Sequence, residues 1–230
     1  MPRELPIFPL PIVLFPGVPQ PLHIFEPRYR RLLQDCLAGD QRFGIAYVAP
    51  ESAPGAGGDP TPRPGDVGCV ALIRSRQTLP DGRSNILTVG ERRFVLQQWI
   101  EHAGPYRVAQ VEEFDDDPID PAEAAPLAND VRAGFERLRQ ALGVLLEPDE
   151  QEAAVPRDPA ELSFHVAAAL ELEPAAKQVL QAIRSTSARL RQLASVLGPL
   201  AADAERRAAI RQRARGNGHG DRQAEIERTP

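Results

Sequence analysis

The sequence predicts an α+β protein in which a β-barrel is followed by a helical bundle. Three observations predict it. Up to about residue 114 the chain falls into six or seven short apolar and β-branched runs separated by glycine and proline, the pattern of a mainly antiparallel sheet that rolls up on itself. From residue 127 the apolar spacing changes to threes and fours, as in Leu127, Val131, Phe135, Leu138, Leu142 and Leu145. Between the two lies an acidic stretch, 112–123, with seven carboxylates that mark a boundary. The expected division is a barrel over 1–117, helices over 118–213 and a disordered tail over 214–230.

The first run, 5–10, carries two prolines and so reads as an edge or irregular strand, since each proline removes a ladder donor. Residues 22–25 make a second short strand. The chain then turns helical from Arg28 to Leu37, with Tyr29, Leu32, Leu33 and Cys36 on one face. Glu26 and Pro27 suit its start, where a missing N–H costs nothing, and Gly39 ends it. A strand over 43–48 is followed by an exposed loop over 49–66, rich in proline and glycine. Residues 67–77 and 84–89 form a hairpin around the turn 79–83, where Pro80 presets one dihedral and Gly82 accepts the left-handed one. Gly90 is expected to break that strand, with others at 92–100 and 106–114. In the second half, helices are expected up to Pro148, over 158–172, from Glu173–Pro174 to about Ile183, and from a cap within 185–187 to Leu197. Gly198–Pro199 interrupts the last, and a further helix reaches about Arg213.

Composition narrows the function classes. Apolar residues at 42% and charged residues at 26% are ordinary for a globular protein with a sizeable core. A net charge of −5 argues against a general nucleic-acid coat. Cys36 and Cys69 stand far apart in no metal-like spacing, as buried thiols of a reducing compartment do. No stretch reaches a membrane span and the N-terminus lacks a signal-peptide core, so the expected location is cytoplasmic, with no membrane partner.

Catalytic chemistry finds no support. The one lysine, Lys177, has neither a phosphate-binding loop around it nor an oxyanion-forming turn near it, and reads as a solvated surface residue. The four histidines share no ligand spacing. The run Asp115–Asp116–Asp117 lacks the alternation of a calcium loop and reads as a solvated linker. Arg92 and Arg93 read as strand-edge charges. Eight arginines within 184–215 face only Asp203 and Glu205, either as a solvated helix face or as a site for an acidic partner or RNA. No catalytic, metal-binding or cofactor residue is expected.

The opening LPIFPLPIVLFPGVPQPLHIFEPRYRRLL, residues 5–33, resembles the N-terminal, substrate-binding domain of the Lon protease family. So do the later Gly65–Asp66–Val67–Gly68, the turn at Pro80–Gly82, residues 89–94, and 171–193 leading into STSARLRQLASVL. The resemblance covers roughly 5–198. It implies a PUA-like pseudo-barrel followed by helices, in a stand-alone member without ATPase or protease domains. It further implies a non-enzymatic module that engages an unfolded polypeptide or a specific protein partner, with the oligomeric state left open. Phe15, Pro16, Phe25 and Tyr29 are the expected polypeptide contacts, each of which is equally suited to a core. The alternative is an RNA-binding module that uses the barrel and the arginine-rich C-terminal helix.

Overall fold

The computed structural model describes residues 2–49, 61–145 and 154–217. Six strands come first: β1 (Pro2–Leu10), β2 (Pro19–Ile24), β3 (Arg42–Tyr47), β4 (Val67–Thr78), β5 (Ser84–Ile100) and β6 (Arg107–Phe114), with helix α1 (Pro27–Ala38) after β2. Their order is β2-β5-β4-β3-β1-β6, and β5 also pairs with β6. Five strands therefore close into a ring, and β2 is left as an outer flap on β5.

The strand β5 is long enough to serve two neighbours on one flank. Its first part, Ser84–Val89, pairs with β2, and its second part, Arg93–Ile100, pairs with β6. Gly90 sits at the changeover and does not break the strand as its sequence suggested. A Cβ there would fall on the carbonyl oxygen of Phe15. The glycine admits a crossing chain: Gly17 N–H donates to Gly90 O at 2.8 Å, and Gly90 N–H donates to Val18 O at 3.0 Å. The expected turn at 79–83 is present, with Gly82 at φ 81° and Leu79 N–H bonded to Arg83 O.

The edge position expected for β1 is corrected. It lies between β6 and β3, antiparallel to the first and parallel to the second. The two ladders meet only at Ile7, β6 taking Pro2–Ile7 and β3 taking Ile7–Leu10. Each half of the strand thus has one flank without ladder bonds, the condition under which prolines are tolerated. Alternation then sorts the side chains: Leu5 and Ile7 join Phe94, Leu96 and Val111 in one core cluster, and Phe8 joins α1 in another. Helix α1 buries the predicted Tyr29, Leu32, Leu33 and Cys36, each apolar side chain contributing roughly 1.5–3 kcal/mol on burial.

Four helices follow: α2 (Pro121–Leu145), α3 (Pro159–Ala169), α4 (Pro174–Ala182) and α5 (Thr186–Asn217). The chain forms two compact units. One is Met1–Pro118 with Phe164–Thr186, and the other is Ile119–Ser163 with Ser187–Pro230. Residues 164–186, assigned from sequence to the helical part, thus group with the sheet. There α4 contacts β4, and Gln178 Nε2 donates to Val67 O at 2.7 Å.

In the helical unit, α2 begins before the apolar spacing does. Its buried face joins the expected Val131, Phe135 and Leu138 with Ala124, Ala128 and Ala141, small residues that a search for large apolar side chains overlooks, and Leu142 is exposed. The break expected at Gly198–Pro199 is absent, for α5 runs through it. Proline removes one helical bond, but Leu190, Leu193, Leu197, Ala201, Ala204 and Ala208 make one buried stripe on both sides of it. The same helix extends to Asn217, past the expected start of the tail; residues 218–230, 146–153 and most of the expected loop, 50–60, lie outside the described residues. Asp158 caps α3, its Oδ1 accepting from Ala160 N at 2.9 Å and Glu161 N at 3.0 Å. No described helix is long and apolar enough to cross a membrane.

Candidate functional site

The flap strand creates a three-stranded sheet, β2-β5-β4, with one face turned to solvent. The register sets which side chains share it. Pro21 stands opposite Leu87 and Leu87 opposite Ser75; Pro19 stands opposite Val89 and Val89 opposite Leu72. Ile24, Ile86, Thr88 and Ile73 alternate with these and are buried. The outer face therefore carries an apolar patch of Pro19, Pro21, Leu87, Val89 and Leu72, flanked by a polar row of His23, Asn85 and Gln77. Leu87 is 37% exposed. At the end of β2, Phe25 is 57% exposed. Its ring stacks on His23 at 6.0 Å, and His23 Nδ1 lies 2.7 Å from Asn85 Oδ1. That chain of contacts braces an aromatic side chain in water, where burial would ordinarily be favoured.

Among the described residues no strand pairs with the outer edge of β2, and that edge is blunted. Pro19 and Pro21 are two apart and so share an orientation, and a proline cannot donate to the β5 ladder. The donors toward β5 then belong to Gln20, Leu22 and Ile24, and the outward flank offers carbonyls with little to donate. Added strands need both. An extended chain added at this edge would therefore find few donors.

The four residues singled out from sequence are dispersed by the fold. Phe15 is fully buried and packs on Phe164, ring centroids 6.1 Å apart. Tyr29 is buried against Phe8 at 3.9 Å, with the Arg28 guanidinium 4.6 Å from its ring. Pro16 is half-buried beside the Gly90 crossing. Only Phe25 stands clear. Phe15 is a core residue because the chain crosses β5 closely at Gly90 and lays its ring on Phe164, and Tyr29 because it lies on the buried face of α1 with Leu32, Leu33 and Cys36. Pro19, Pro21 and Leu87 were missed; the alternation in 84–89 was the available signal.

Several other charged groups are engaged within the fold. Arg93, expected at a strand edge, is 2% exposed. It donates to Gln181 O at 2.8 Å and Ile183 O at 2.7 Å, pairs with Asp116, and lies 4.5 Å from the Phe114 ring. Asp116 also accepts from Thr186 Oγ1. The run expected to be a solvated linker therefore supplies a structural counter-ion. Lys177, expected on the surface, is half-buried. It donates to Ala168 O at 2.8 Å at the end of α3, and burial lowers its pKa. In the helical unit several arginines of α5 meet acids or carbonyls, Arg191 on Glu123, Arg207 on Asp203 and Arg211 on Leu145 O, while Arg137 of α2 takes Glu205. Both cysteines are free and buried. Desolvation pushes Cys36 up to about 12 and raises Cys69 as well, so neither is a poised nucleophile. Asp35 accepts from Arg31 Nε at 3.0 Å and Tyr106 OH at 2.9 Å. The bonds from Arg31 and Tyr106 hold its carboxyl below the usual value.

Residues 4–198 match the profile of the ATP-dependent protease La (LON) substrate-binding domain. The Lon protease of Roseiflexus castenholzii is 32% identical over 200 residues, 86% of this chain and 24% of the relative. Lon protease 2 of Herpetosiphon aurantiacus is 28% identical over 196 residues, 84% of this chain and 23% of the relative. The chain thus spans about a quarter of the length of these relatives. Among solved structures, a Lon N-terminal domain protein from Xanthomonas campestris shares the fold with a TM-score of 0.60 at 24% identity, covering 84% of this chain and 98% of that one. The N-terminal domain of the Mycobacterium avium complex Lon protease does so with a TM-score of 0.63 at 18% identity, covering 85% and 98%. On the extent of the profile match, the chain belongs to the Lon substrate-binding domain family.

Proposed function

We propose that this chain is a non-catalytic module that binds unfolded polypeptide on the outer face of β2-β5-β4. The observation that carries the reading is Phe25, 57% exposed at the end of a sheet face that bears an apolar patch. An exposed aromatic braced by neighbours is the kind of anchor that dominates protein interfaces. Leu87, Pro19 and Pro21 widen the apolar surface around it, and a folded protein would keep its own matching side chains buried. Family membership supports the same role. A reducing cytoplasm suits the two free thiols.

The test is fluorescence anisotropy of a labelled, permanently unfolded polypeptide titrated with the protein, with the folded form of the same polypeptide as control. Selective binding that survives added salt, weakened roughly tenfold or more in Phe25→Ser, is expected of an anchor worth ~2 kcal/mol. Equal affinity for folded and unfolded forms, or no effect of Phe25→Ser, contradicts the reading.

A further inference from the structure

A second feature of the sheet-bearing unit lies where α1 meets the start of β6. A cleft of about 90 Å³ has Ile7 and Pro105 in its lining, together with the rings of Tyr29 and Tyr106. Two guanidinium groups from different elements share that lining, Arg28 from α1 and Arg107 from β6. Arg28 bonds Glu26 at 2.9 Å and lies over Tyr29. Arg107 is exposed and lies 5.5 Å from the Trp99 ring, and among the described residues it has no carboxylate partner. A larger depression of about 700 Å³ adjoins the cleft, sharing Pro105 and Tyr106, and adds Arg31, His102 and Asp35. Among the described residues Asp35 is the only carboxylate in either lining, and it is already engaged by Arg31 and Tyr106. The charge at the cleft is therefore positive, with an apolar floor and aromatic walls that reduce screening.

We propose that this cleft takes a carboxylate of a bound polypeptide, with the adjoining depression receiving the residues that precede it. A planar guanidinium such as Arg107 matches a carboxylate by paired hydrogen bonds. The carboxylate is either the C-terminus or an acidic side chain. This inference rests on the polypeptide-binding reading above, and it concerns a separate surface from the Phe25 face.

Isothermal titration calorimetry separates the two. Three probes are compared: a short N-acetylated apolar peptide with a free C-terminal carboxylate, the same peptide amidated, and the amidated peptide with a penultimate glutamate. At least one carboxylate form is expected to bind roughly tenfold tighter than the neutral amide, and which one identifies the source. Arg107→Gln is expected to bring that form down to the affinity of the amide with an unchanged thermal unfolding midpoint. Equal affinity of all three peptides overturns the proposal and leaves polypeptide binding standing, as does a preference that survives Arg107→Gln. Absence of binding by every peptide overturns both.

Discussion

Phe15 and Phe25 come from one stretch of sequence and have opposite destinations. Phe15 is fully buried against Phe164, whereas Phe25 is 57% exposed beside His23. Phe15→Ala should therefore cost about 3–5 kcal/mol in chemical denaturation, and Phe25→Ser should stay within about 0.5 kcal/mol of the parent. The buried thiols set a pH limit. A group whose folded pKa is raised contributes stability that is whole below its unfolded pKa and is lost as pH rises through the folded one. For Cys36 that window opens at 9.0 and closes at about 12, and Cys69 shifts the same way. For Tyr106 the window runs from 10.0 to about 12. Urea midpoints measured against pH should decline from near 9.0; with both cysteines changed to alanine the decline should start nearer 10.0. At this scale the sequence was only partly legible. The buried face of α1 followed from its spacing, but the burial of Arg93 depends on carbonyls at Gln181 and Ile183, far along the chain.

At the scale of elements, glycine and proline carried meanings that local pattern alone misassigned. Gly90 reads as a strand end in isolation, yet it exists to let Phe15 pass over a continuous β5. Gly90→Ala should destabilise by about 1–3 kcal/mol, read as a lowered denaturation midpoint. The prolines of β1 read as edge markers, and staggered pairing places that strand between two partners instead. The prolines of β2 do mark an edge, and here the rule holds in its protective sense. Replacing Pro19 and Pro21 together by valine restores two outward donors on an apolar strand. Sedimentation velocity should then detect self-association absent from the parent, and a monodisperse variant would show that the prolines do not guard this edge. Pro199 lies within α5 because the buried stripe continues on both sides, a tertiary effect that outweighs local propensity.

For the whole molecule, the barrel and the helices were legible because periodicity changes from two to about 3.6 along the chain. Ring closure was less so, since pairing of β5 with both β2 and β6 is a matter of register between distant segments. Grouping of residues 164–186 with the sheet was invisible for the same reason. The proposed binding face follows from those pairings: only once β2 lies on β5 do Pro21 and Leu87 stand side by side. The most direct test of that face is hydrogen–deuterium exchange of the protein with and without a saturating unfolded polypeptide. Binding there predicts slowed exchange over residues 20–25 and 84–89, with the arginine-rich end of α5 unchanged. Protection confined to α5, with β2 and β5 exchanging as before, would contradict it.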